Sequence, residues 1–201
     1  MAVIDNEQMR SRQKILDATL GLIGSGGFEA VNIAAVANAA GVSRQTVYSI
    51  FGTLEDLMSQ AIAGVAIDVL GTIRSRLDAI ADSPVDYVAE LIVSGRALIR
   101  DDPVLATLMR AGQGNPLFDT GMMTRARPIA RELLSPLADR NPDVQANLDD
   151  IIEIALRVGL SVVFFDDDSV HSDDALRTFL HRWLGPAMPP GRDSGHTQPT
   201  T

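Results

Sequence analysis

Apolar residues recur at three- and four-residue spacing along almost the whole chain, and no stretch alternates as a strand would. The pattern therefore predicts helices. Ile15, Leu16, Ala18, Thr19, Leu22 and Ile23 give a first helix over residues 9–25, and Gly24-Ser25-Gly26-Gly27 ends it. Phe28 then enters a small core. Ile33, Val36 and Ala37 form one stripe of a short second helix, with Asn32 placed to cap its first N–H groups. Gly41 follows Ala40 where a left-handed C-cap is needed. Ser43 caps a third helix, in which Val47 and Phe51 share the inward face and Arg44, Gln45, Thr46 and Tyr48 are left outward. Thr53 opens a fourth helix, with Asp56 in the capping-box position, and this helix stays apolar on more than one face to about residue 81. Pro84 and Pro103 sit at the favoured first positions of a fifth helix, 84–100, and a sixth, 103–111. Gly121, Pro128 and Pro136 interrupt residues 117–140, which read as a kinked helix or two pieces. An eighth helix follows over 142–165 and a ninth over 172–184. The expected fold is all-α, with about nine helices, and residues 186–201, rich in Pro, Gly, Ser and Thr, read as a disordered tail.

Two short helices joined by Ala-Gly-Val-Ser, with a third helix just after them, have the layout of a helix-turn-helix. Its second helix needs outward groups that can meet a base edge or a phosphate. Arg44 can take guanine O6 and N7, Gln45 can take adenine N6 and N7, and the hydroxyls can take phosphate oxygens. A helix pair that only packs has no need of such a polar outward set.

The residues Asn32-Ile33-Ala34, Ala37, Ala40-Gly41-Val42-Ser43, Thr46-Val47-Tyr48, Phe51, Glu55 and Leu57, at these spacings, resemble the DNA-binding region of the TetR family of bacterial repressors over roughly residues 9–60. The resemblance implies a helix-turn-helix domain (9–52) joined by a long helix to a C-terminal bundle (53–185) that binds an effector and dimerises. It also implies a two-fold symmetric operator in double-stranded DNA. The residues expected at DNA are Asn32, Ser43, Arg44, Gln45, Thr46, Tyr48 and Thr53. Three positions depart from the family pattern. Gln45 stands where a small residue, often Gly, is usual; Ile50 stands where Tyr or His precedes the Phe; Leu54 stands where Lys usually opens the next helix. The last two positions normally help hold phosphate, so backbone grip is weaker here or supplied differently.

Composition adjusts this picture only in places. Of 201 residues, 46% are hydrophobic and 21% charged, as in a soluble globular protein. No Cys is present, which excludes disulfides and thiolate metal sites. No apolar run approaches the roughly 20 residues of a membrane span, and the polar N-terminus lacks a signal-peptide core, so a cytoplasmic location without membrane contact is expected. The net charge of −9 argues against a nucleic-acid partner only if it is taken globally. Between Arg10 and Gly52, the basic Arg10, Arg12, Lys14 and Arg44 face only Asp17 and Glu29, leaving +2. The acid is concentrated in Asp101-Asp102, Asp149-Asp150, Asp166-Asp167-Asp168 and Asp173-Asp174. Segregation of this kind suits a chain with one end at phosphate.

The second part is less legible, because periodicity alone shows only a bundle. The eighth helix is apolar almost all round, and Gly159 and Ser161 would let another helix come close. With the ninth helix it suggests a homodimer interface at Val158, Val162, Phe165, Phe179 and Trp183; the other reading is a monomer core. The resemblance places an effector pocket among the fourth to eighth helices. Met109, Gln113, Phe118, Met122 and Arg127 are the candidate contacts for a small hydrophobic effector, and Arg127 would suit an acidic group on it; the other reading is a loosely packed core. His171 beside Asp166, Asp167, Asp168 and Asp173 could hold a hard metal, but Asp before and within a first helical turn is explained by the helix dipole. No catalytic residue, metal or cofactor is therefore expected. The alternative to a regulator is a helical small-molecule-binding protein or enzyme with a degenerate helix-turn-helix.

Overall fold

The computed structural model describes residues 2–80, 83–109, 121–165 and 172–189. Among them are ten α-helices, short 3-10 turns and no strand. The helices are α1 (Ala2–Gly26), α2 (Ile33–Ala40), α3 (Arg44–Phe51), α4 (Leu54–Leu77), α5 (Pro84–Asp101), α6 (Pro103–Leu108), α7 (Met122–Arg140), α8 (Pro142–Ala146), α9 (Leu148–Phe164) and α10 (Asp173–Leu184). The fold is all-α as expected. The chain falls into two compact units, Met1–Val69 with Ile99–Arg110, and Leu70–Leu98 with Ala111–Thr201. The first unit is thus larger than residues 9–52.

In the first unit, α1 packs against α2 and α6. Its inward residues, Ile15, Thr19 and Ile23, are fully buried at i, i+4 and i+8. The Thr19 hydroxyl donates to the Ile15 carbonyl at 2.8 Å, which makes a polar side chain acceptable there. Near the end of α1, a Cβ on Gly24 would stand 3.2 Å from Cγ2 of Val104, so the missing side chain allows the close approach of α6. Helix α1 begins well before residue 9, since Ala2 is already helical.

In the second unit, Tyr87, Val88, Leu134, Leu137, Leu176 and Leu180 are among the buried core residues. The Tyr87 hydroxyl donates to the Leu133 carbonyl at 2.9 Å, and burial pushes its pKa above the ordinary phenol value. Arg96, 3% exposed, pairs with Asp173 at 3.0 Å. Arg177 joins Glu90 and Asp174, and His181 stands 2.8 Å from Asp86, so charges tie α5 to α10.

Three element boundaries differ from the sequence reading. The eighth helix is broken into α8 and α9 at Asn147, whose φ of −113° and ψ of 16° leave the helical region. Its side-chain amide donates back to the Asp143 carbonyl at 2.8 Å and closes the turn. Residues 122–140 form a single helix in spite of two prolines. Pro136 cannot donate to the Glu132 carbonyl, and the Ser135 hydroxyl does so instead at 3.0 Å. Helix α4 stops at Leu77, because the Ile80 N–H turns back to the Leu77 carbonyl; Ile80 continues the apolar spacing but not the helix. The sixth helix is described to Leu108.

The expectation that no stretch approaches a membrane span meets one exception by average hydropathy. By length and composition α4, with 24 residues, is apolar enough to cross a membrane, although only 17% of its most apolar stretch is buried. Its Leu, Ile, Val and Ala residues raise the average, but Ser59, Gln60, Gly64, Asp68 and Gly71 interrupt them, so no continuous run of large apolar side chains forms. A single helix of this kind carries no membrane assignment.

Candidate DNA-reading surface

The surface is built from helix ends. Asn32 Oδ1 accepts the Ala35 N–H at 2.9 Å and starts α2. At the other end Gly41 has φ 66° and ψ 35°. The Val42 N–H returns to the Ala37 carbonyl at 2.9 Å, and Gly41 returns to Asn38, so the orphaned carbonyls of α2 are satisfied within a tight left-handed stop. Ser43 Oγ accepts the Thr46 N–H at 3.0 Å and pairs with the Thr46 hydroxyl at 2.8 Å. These contacts set the direction of α3. Val47 and Phe51 are buried, whereas Arg44, Gln45 and Tyr48 are exposed, Tyr48 to 54%. Thr46 is half-buried. The inward and outward division is the one the spacing predicts.

After α3 the chain makes a rarer turn. Gly52 has φ 79° and ψ −67°, and the Thr53 N–H donates to the Phe51 carbonyl at 3.0 Å across it. This is a γ-turn in the positive-φ form, open to glycine and strained for other residues. Thr53 Oγ1 then accepts the Asp56 N–H at 3.0 Å and caps α4; its hydroxyl donates to the Asp56 carboxylate at 2.8 Å, but the reciprocal half of a capping box is missing, because the Thr53 N–H is already held by Phe51. Asn32, Ser43 and Thr53 thus all serve as helix caps beside any contact they make with DNA.

Arg12 of α1 lies behind α3. Its guanidinium is 5.1 Å from the centroid of the Phe51 ring and donates to Gln60 of α4 at 2.5 Å. In the sequence Arg12 stands out only as positive charge; in the fold it clamps the end of α3. Arg10 and Lys14, four residues apart on α1, stand on another face. With Glu7, Gln8 and Ser11 they border an open groove of about 750 Å³, whose other wall is Ser43, Gln45, Thr46, Ser49 and Ile50. Among the described residues Arg10, Lys14 and Arg44 have no ion-pair partner. Their i and i+4 spacing on one face was the available signal for Arg10 and Lys14.

The other candidate residues are dispersed. Met109 and Met122 are half-buried and Arg127 is exposed; Gln113 and Phe118 lie outside the described residues, as do His171 and residues 190–201. The Arg127 guanidinium donates twice to Glu153, at 3.1 and 3.0 Å. Those bonds, with a further one from Arg157, hold the Glu153 carboxyl below its ordinary pKa. In α9, Leu148, Ile151, Ile152 and Ala155 are buried, while the half containing Val158 and Val162 is only partly covered. Phe165, Phe179 and Trp183 are 78%, 44% and 66% exposed in the single chain.

Part of the chain is similar to known proteins. Residues 15–61 match the bacterial regulatory proteins of the tetR family. The repressor KstR of Mycobacterium tuberculosis is 34% identical over 123 residues, covering 61% of this chain and 49% of that protein. KstR of Rhodococcus jostii is 36% identical over 122 residues, with 60% and 49% covered. The chain thus spans about half the length of the curated relatives it matches. The crystal structure of AlkX, a TetR family repressor of Dietzia sp. implicated in biodegradation of n-alkanes, is 26% identical, covers 88% of this chain and 94% of its own, and gives a TM-score of 0.54. Residues 15–61, which hold the capped helix pair and its outward polar face, are thus similar to the tetR family of bacterial regulatory proteins, and the all-helical fold is similar to that of AlkX.

Proposed function

We propose that the chain is a ligand-responsive transcriptional regulator, a homodimeric repressor that leaves its operator when a small hydrophobic effector binds. The observation that carries this reading is α3: a helix anchored by Val47 and Phe51 that presents Arg44, Gln45 and Tyr48 to solvent. Such an inventory suits base edges and phosphates in a major groove. The relatives, which are repressors by name, support it. In this reading residues 9–52 read DNA and residues 53–185 dimerise and take the effector. The protein acts in the cytoplasm, without enzymatic activity and without a cofactor. Exposure of Phe165, Phe179 and Trp183 in the single chain supports an interface there, since aromatic groups gain most from burial against a second copy. Helix α4 belongs in part to each compact unit and is the element suited to carry a signal. By linkage, an effector that weakens DNA binding is itself weakened by DNA to the same factor.

Selection of bound sequences from random duplex DNA tests the reading. Enrichment of a two-fold symmetric sequence is expected, with half-sites about one DNA turn apart. Failure to enrich any duplex, together with turnover of a small molecule, would turn the reading toward an enzyme with a degenerate helix-turn-helix.

A further inference from the structure

At the end of α3 and the start of α4, beside the outward face, the side chains of Ile50 and Leu54 are apolar and offer a phosphate nothing. Both cations that border the reading groove outside α3, Arg10 and Lys14, come from α1. We propose that α1 supplies the missing backbone grip: Arg10 and Lys14 bind phosphates of the strand that passes along the groove between α1 and α3, while Gln45 and Thr46 on the opposite wall face the same duplex. This rests on the reading of α3 as a DNA-contacting helix.

The groove is open and polar, about 750 Å³, with Ser11, Ser43, Thr46 and Ser49 supplying hydroxyls along it. A phosphodiester strand needs this combination of cations and short donors, and it reads no sequence. Arg10 and Lys14 are exposed and hold no ion pair or hydrogen bond among the described residues, so contact with phosphate breaks no existing bond. Arg12, between them in sequence, is turned to Phe51 and Gln60 and cannot share the task. The one acid on the groove, Glu7, is three residues from Arg10 on the same helix and opposes the approach of phosphate.

The test is the salt dependence of binding by the full-length protein, measured on an enriched duplex and on a random-sequence duplex. Arg10→Gln and Lys14→Gln are each expected to weaken both duplexes by the same factor. Each should also lower the slope of log K against log salt by about 0.9 per phosphate released, roughly 1.8 for a dimer with two heads. Base preference should not change. Lys14→Arg should retain the wild-type slope. Glu7→Gln should tighten both duplexes, a gain that misfolding cannot produce. Arg131→Gln, the same charge change on α7, should leave the slope alone. Wild-type slopes in Arg10→Gln and Lys14→Gln, or an equal loss in Arg131→Gln, would overturn the α1 grip and leave the proposed function standing. A wild-type protein that binds no duplex would overturn both.

Discussion

Gly52 decides at a single residue how α3 ends. Its positive φ closes a γ-turn that no side-chain-bearing residue adopts without strain. Gly52→Ala is therefore expected to cost about 1–3 kcal/mol of stability, measured by urea unfolding, and to weaken DNA binding further by misdirecting α3 against α4. A variant as stable as wild type would show that the turn is not strained. On the outward face, Arg44→Ala and Gln45→Ala should each cost about 1–3 kcal/mol of operator affinity and relax preference at particular base pairs. Tyr48→Phe should weaken all sequences alike, as the loss of a phosphate contact does. Unchanged gel-shift affinity in all three would remove α3 from the reading surface.

At the scale of elements, α7 and α9 are joined by charge on their solvent side. Arg127 on α7 and Arg157 on α9 both donate to Glu153, and Arg131 pairs with Asp149. Hydrogen bonds from the two arginines lower the Glu153 pKa from its ordinary value of 4.5. A carboxylate with a depressed folded-state pKa adds stability that is present above the unfolded value and is lost as pH falls through the folded one. Glu153→Gln is thus expected to flatten the pH dependence of stability below about pH 4.5 and to change little at neutral pH. In Arg127→Gln the Glu153 carboxyl should titrate closer to the ordinary value, as followed by carbon NMR; an unmoved midpoint would remove Arg127 as the cause. Arg127 is also a candidate contact for an acidic effector, which would have to displace Glu153. Binding of such an effector should therefore raise the Glu153 titration midpoint.

At the scale of the whole molecule, the exposed aromatic residues of α10 and the end of α9 set the expectation for assembly. Val162→Arg should halve the mass seen by light scattering while leaving the helical signal in place, since Val162 is only partly covered in one chain. A wild-type monomer at micromolar concentration that binds its operator with full affinity would sink the interface. Effector release should follow the dimer. With one head on a half-site the effector should hardly matter, whereas release from the full site should reach about 5–150-fold. Equal loss in both cases would mean that the effector melts the reading head instead of shifting the spacing of two heads.

Features that depend on neighbours along the chain are legible without the fold. Asn32, Ser43 and Thr53 act as caps because each lies within three residues of the N–H group it satisfies. The division of α3 into buried Val47 and Phe51 and outward Arg44, Gln45 and Tyr48 follows from helical periodicity alone. Breaks that depend on a particular hydrogen bond were not legible. Nothing in the apolar pattern distinguishes Asn147 as a helix end from Asn147 as a helical residue, and Ser135 rescuing the carbonyl freed by Pro136 is equally invisible. Which of the three α1 cations turns inward depends instead on contacts far along the chain. Arg12 meets Phe51, 39 positions further along the chain, and Gln60, 48 positions along, while Arg10 and Lys14 are left on the groove. Spacing along one helix fixes which residues share a face, but the partner that each face meets is set by long-range packing, which no local pattern records.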